Sequence, residues 1–149
     1  MKLVIGSDHA GYALKNYLIS CLQAQGHAPI DCGTFSTDSV DYPDIALKVA
    51  ESVLKDHIPG VLVCGTGIGI SISANKVPGI RAAVCQNLYT ARLARQHNDA
   101  NILALGSRIT APELAWEILR NFLETEFEGG RHQARIEKIF AIEKKFERS

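Results

Sequence analysis

The stretch Val61-Leu62-Val63-Cys64-Gly65-Thr66-Gly67-Ile68-Gly69-Ile70-Ser71-Ile72-Ser73-Ala74-Asn75 decides the fold. An apolar run of strand length, Val61–Cys64, ends in alternate glycines, and a short helix is expected from Ile70 to Asn75. A strand that turns through glycines into a helix is half of a βα unit, and the same alternation recurs on both sides of it. Strands are expected near Leu3–Gly6, Ala28–Asp31, Ile80–Val84 and Ile102–Leu105, with helices near Tyr12–Gln25, Asp44–Lys55, Tyr89–Gln96 and Ala111–Glu124. This is the pattern of a doubly wound parallel sheet.

The chain of 149 residues is 46% hydrophobic and carries 16 Lys+Arg against 16 Asp+Glu. One domain spanning 1–149 is expected, because that length suits one α/β core and no linker, repeat or low-complexity run divides it. Balanced charge argues against nucleic acid and membrane surfaces as partners. The apolar run before Gly6 and Asp8 is too short for a signal-peptide core or a membrane span. Cys21, Cys32, Cys64 and Cys85 form no CxxC pair and have no histidine at ligand spacing, so a reduced cytoplasmic protein is expected, without a zinc site or a disulfide framework.

In the first helix Leu14, Tyr17, Leu18, Cys21 and Leu22 share one face, which places Cys21 in the core. Beyond Glu128-Gly129-Gly130 a last helix, about 133–148, carries Ile136, Ile139, Phe140 and Phe146. Its apolar stripe either folds back on its own domain or docks on a neighbouring chain.

Open α/β sheets bind ligands outside the carboxyl ends of their strands. There stand Ser7-Asp8-His9, the Gly65-Thr66-Gly67-Ile68-Gly69 loop, Cys85 and Gly106-Ser107-Arg108. The loop fails as a dinucleotide fingerprint, since its third glycine is one residue early and no acidic residue follows about 20 positions on. It can still aim N–H groups at an anion, or simply be a tight turn. Cys64, next to those donors, is either an activated thiol or a small hydrophobe ending a strand. Cys32 and Cys85 lack such a loop, and both are expected to be inert.

Arg131 and Arg135 lie four apart on one helical face, with His132 as a third cation candidate. Cations at a helix N-terminus oppose the macrodipole, a conflict that a bound phosphate or carboxylate resolves, although solvated pairs with Glu128 or Glu137 would also fit. His97, in the polar run Arg95-Gln96-His97-Asn98-Asp99, suits either acid–base work or helix capping. His9 beside Asp8 stands where a ligand would, while His27 and His57 are expected at the surface. A thiol base, an oxyanion loop, a histidine and an Arg pair suggest proton abstraction next to a carbonyl in a phosphorylated substrate. That chemistry requires no redox cofactor or metal. A non-catalytic module that senses nucleotides would use the loop and the arginines but gives Cys64 and His97 no task.

The runs Gly6-Ser7-Asp8-His9-Ala10-Gly11 with Leu14-Lys15, Asp41-Tyr42-Pro43, Cys64 through Lys76, Arg95 through Asn101 and Gly129-Gly130-Arg131-His132 resemble the type B ribose-5-phosphate isomerase family. That family also includes allose- and galactose-6-phosphate isomerases. The resemblance implies a three-layer α/β/α, Rossmann-like fold with a five-stranded parallel sheet, and interconversion of D-ribose 5-phosphate and D-ribulose 5-phosphate through an enediolate. Allose 6-phosphate is the alternative substrate. The resemblance assigns Cys64 as the base, the amides of Gly65 through Gly69 as the anion hole, and His97 as the residue that opens the furanose ring, supported by Thr66 and Asp8. It gives His9, Arg131 and Arg135 to the phosphate, and Asn98 and Arg108 to further substrate contacts. It also implies a homodimer or homotetramer with shared active sites and a last helix docked on the partner.

Overall fold

Val61, Leu62 and Val63 are fully buried because their strand is the middle one of five, covered by helices on both faces. The computed structural model describes residues 1–147. It contains β1 (Lys2–Ser7), α1 (Tyr12–Ala24), β2 (Ala28–Asp31), α2 (Tyr42–Asp56), β3 (Gly60–Cys64), α3 (Ile68–Ala74), β4 (Ala82–Val84), α4 (Leu88–Gln96), β5 (Ile102–Gly106), α5 (Pro112–Glu124) and α6 (Arg131–Lys145). All pairings are parallel, in the order β2-β1-β3-β5-β4.

Strand alternation divides the core. Leu3, Ile5, Val61, Val63, Leu103 and Leu105 meet α1, α4 and α5, whereas Val4, Leu62, Ile102 and Ala104 meet α2 and α3. The chain leaves β1 toward β2 on one side and leaves β3 toward β4 on the other. A topological switch point therefore opens between the carboxyl ends of β1 and β3. The Asp8 N–H donates to the Val63 carbonyl at 3.2 Å, joining the two strands where the crevice begins.

The expected three-layer architecture is present, and several boundaries move. Helix α3 begins at Ile68, two residues early, because Gly67 at φ +80° turns the chain directly into it. Strand β4 starts at Ala82, since Gly79 at φ +94° and an Ile80 N–H to Val77 carbonyl bond keep the preceding residues in a turn. Helix α6 starts at Arg131 and ends at Lys145, and the expected endpoint Arg148 lies outside the described residues. Cys21 and Tyr17 are not core: on α1 only Leu14, Leu18 and Leu22 of the expected face are buried, joined by Lys15. No helix among the described residues is long and apolar enough to cross a membrane.

Candidate active site

At the carboxyl edge the Cys64 side chain is buried at the end of β3, and its sulfur accepts the Gly67 N–H at 3.1 Å. The loop is held from below. A Cβ on Gly67 would come within 3.0 Å of the Leu105 backbone, so the close approach as well as the positive φ requires glycine there. Of the five loop amides, that of Gly67 is on the sulfur and that of Ile68 is on the Thr66 hydroxyl at 3.2 Å. The first-turn amides of Gly69 and Ile70 have no partner within the helix and remain suited to an anion.

Around this loop the structure gathers the other carboxyl-edge residues named from sequence. Asp8 is buried and accepts the Gly11 N–H at 3.0 Å, and His9 Nδ1 accepts the Val40 N–H at 3.2 Å. Arg108 is exposed, with its guanidinium against the Gly65 backbone, and its backbone N–H donates to the Gly65 carbonyl at 2.9 Å. Cys32 and Cys85 lie away from this loop. Burial pushes both thiols above the usual value, which disfavours the thiolate and agrees with an inert role.

The remaining candidates lie elsewhere. Helix α4 starts after β4 and runs back to the start of β5, so His97 and Asn98 emerge at the amino edge of the sheet. There the His97 and His132 rings stack at 4.3 Å between centroids, 15° from parallel. Arg131 and Arg135 occupy the exposed side of the same α6 turn. His132 is only 7% exposed, and burial first, then the neighbouring His97 and Arg131, push its pKa below the usual histidine value. Both effects disfavour its cationic form and so count against the third cation candidate of the sequence reading.

The polar run from Arg95 to Asp99 is mostly scaffold. Arg95 Nη1 donates to Asp99 Oδ1 at 2.9 Å and to the Ala100 carbonyl at 2.7 Å. Arg81 donates to the Asn98 carbonyl at 3.0 Å and to the Asp99 carbonyl at 2.8 Å. Asp99 itself sits at φ +45°, fixed between the two guanidiniums. His97 serves as the C-cap residue of α4, the capping role weighed from sequence, and its ring lies against His132.

The two groups do not meet within a chain. Gly60 pairs with Ile102 at the amino edge, and Cys64 pairs with Gly106 at the carboxyl edge. Those pairs are four residue steps apart, about 13 Å at a strand rise of about 3.3 Å per residue.

A family model described as Ribose/Galactose Isomerase matches residues 3–139. The chain belongs to this family. Within the ribose/galactose isomerases it is 49% identical over 145 residues to Ribose-5-phosphate isomerase B of Escherichia coli, covering 97% of each chain. The solved Ribose-5-Phosphate Isomerase B of Clostridium thermocellum superposes with a TM-score of 0.97 at 56% identity, over 99% of this chain and 100% of that one. The Ribose-5-phosphate Isomerase B of Mycoplasma genitalium, solved with bound ribulose-5-phosphate, gives 0.91 at 42% identity over 96% of each chain. These family matches offer no support to the nucleotide-sensing alternative.

Sequence reasoning missed the part played by two members of the candidate site. Tyr42 lies with its ring against Gly69, where a Cβ would come within 2.7 Å of it, so it forms a wall of the loop. His132 is the other. The four-residue spacing that pairs Arg131 with Arg135 also pairs His132 with Ile136, and those two are the buried residues of α6. Extending the helical period over both faces would have separated the buried imidazole from the exposed arginines.

Proposed function

We propose that this chain is an aldose–ketose isomerase that interconverts D-ribose 5-phosphate and D-ribulose 5-phosphate through a cis-enediolate. The observation that carries the proposal is Cys64, a thiol at the switch point with an N–H on its sulfur and first-turn amides beside it. In the open-chain aldose, the Cys64 thiolate takes the proton from C2, and the electron pair moves onto the C1 carbonyl oxygen. The loop amides hold the negative oxygen while Thr66 and Asp8 support the proton exchange between the two oxygens, and the Cys64 thiol returns its proton to C1. Before this, His97 assists ring opening: it takes the anomeric hydroxyl proton, the ring carbon–oxygen bond breaks with its electron pair on the ring oxygen, and His97 returns the proton to that oxygen. His9, Arg131 and Arg135 hold the phosphate, and Asn98 and Arg108 contact the sugar.

Because Cys64 and His97 stand at opposite edges, one site takes the carboxyl edge of one copy and the amino edge of another. A two-fold homodimer forms two such sites, either alone or as half of a tetramer. In support, Ile139, Ile142 and Phe146 leave an exposed apolar stripe on α6, the docking surface expected of the last helix. The protein would work as one domain spanning 1–149, on a small sugar phosphate, in the cytoplasm, where its four free cysteines remain reduced.

The test uses Cys64→Ala and His97→Asn, each retaining about one per cent or less of wild-type turnover of D-ribose 5-phosphate, against a wild type that turns over in EDTA. Mixed after unfolding and refolding together, the variants should recover about one quarter of wild-type activity, since half of randomly formed dimers then hold one intact site out of two. No recovery, with mixed dimers shown by mass spectrometry, would place both residues in one chain's site. A wild type inert toward pentose and hexose phosphates would reject the isomerase itself.

A further inference from the structure

On α1 the residue after Leu14 is a lysine with no exposed surface. Lys15 Nζ donates to Asp31 Oδ1 at 2.7 Å and to the Thr34 carbonyl, and it lies 5.4 Å from the Tyr12 ring centroid and 5.1 Å from that of Phe35. Leu14, Leu18 and Leu22 already anchor the helix to the sheet. A buried ammonium is a poor device for adding stability, since its desolvation offsets much of the ion pair and an apolar side chain of similar volume often does as well. What distinguishes it is where its contacts lead.

Three of the four partners, Asp31, Thr34 and Phe35, belong to the end of β2 and the connection from Cys32 to Asp41. Asp31 Oδ1 also accepts the Gly33 N–H at 2.9 Å. Residues 33 and 34 then continue the pairing with β1: the Ser7 N–H donates to the Gly33 carbonyl, and the Thr34 N–H to the Ser7 carbonyl, both at 2.7 Å. Ser7 is followed by Asp8 and His9. At its far end the connection returns to the same place, where the Val40 N–H donates to His9 Nδ1. With Nδ1 accepting, the neutral His9 ring carries its proton on Nε2, the nitrogen left free to donate.

We propose that Lys15 is a positioning residue: its buried ammonium fixes the root of the 32–41 connection so that Val40 meets His9 Nδ1 and His9 presents Nε2–H to a phosphate. The assignment of a phosphate to His9 rests on the isomerase reading above, whereas the hold of Lys15 on the His9 ring does not.

The experiment compares wild type with Lys15→Met/Asp31→Asn, which removes both charges together and leaves no unpaired carboxylate, and with Val40→Pro, which removes the N–H itself. In both variants the 15N resonances of the His9 ring should lose the single Nε2–H pattern. KM for D-ribose 5-phosphate should rise about tenfold with kcat within about twofold, the loss of one hydrogen bond to a charged group. Inhibition by orthophosphate should weaken by the same factor. A folded double variant with wild-type His9 resonances and KM, and only a lower Tm, would overturn the proposal. So would a Val40→Pro variant with unchanged resonances. Altered resonances with an unchanged orthophosphate constant would keep the link from Lys15 to His9 and reject the phosphate role of that ring.

Discussion

The two edges of the sheet are built by different means. At the carboxyl edge the chain is positioned by its backbone: Gly67 at φ +80°, loop atoms in contact with β5, and a sulfur held by an amide. At the amino edge long side chains do the holding, with Arg81 and Arg95 clamped on Asp99 and on carbonyls, and Phe140 over Arg81 at 5.1 Å. A backbone-built edge can lose a reactive side chain without loosening. A side-chain-built edge cannot lose a clamp without moving the histidine it supports.

The largest effect expected from this contrast is chemical. Cys64→Ala should lower kcat by about 10⁴-fold, the upper range for a general base, while Tm and phosphate-ester binding stay near wild type. His97→Asn should lower kcat by only about 10²-fold, because furanose rings also open in solution. Stopped assays on D-ribose 5-phosphate and isothermal titration with an inert phosphate ester measure both. Equal losses for the two variants would remove the distinction between base and ring opener.

Next in size is a scaffold effect confined to one edge. Arg81→Ala removes donors from the Asn98 and Asp99 carbonyls and should destabilise the protein by about 2 kcal/mol, the scale for hydrogen bonds from a charged group. It should also lower kcat several-fold through a loosened His97, and leave the alkylation rate of Cys64 by iodoacetamide unchanged. A faster alkylation would show that the two edges are mechanically coupled within the chain.

The same contrast explains what the sequence revealed. The glycine loop was legible because tight turns and close approaches demand a residue type, and Cys64 is adjacent to it in the chain. The alternation of apolar runs likewise located all five strands, since a doubly covered sheet leaves few polar positions in them. The amino edge was harder. Arg81 and Asp99 converge from separate segments, so no local pattern marks the clamp. Cys21 was misplaced because an α1 stripe drawn from hydropathy is wider than the stripe the sheet covers, and Lys15 takes a buried place only through its contact with Asp31. The separation of His97 from Cys64 follows from the direction of α4, which a list of motifs does not contain.

The smallest expected effect tests the buried member of the histidine pair. Burial lowers the pKa of His132 in the folded chain, with its neighbours His97 and Arg131 adding to the shift. Between the lowered value and the ordinary value of about 6.5 the unfolded chain therefore binds more protons than the folded one, and stability rises with pH across that interval. The stabilising contribution is fully present above about 6.5 and is lost as the pH falls through the lowered value. His132→Phe keeps a ring against His97 and removes the titration. The difference in urea midpoint between wild type and variant should then shift in favour of the variant as the pH falls from 7 to 5, while His9, His27 and His57, outside the pair, cancel in the subtraction. A difference independent of pH would mean that His132 is not held neutral by its burial. The stack would then lose its simplest purpose, a neutral imidazole that orients His97 and leaves the proton traffic to it.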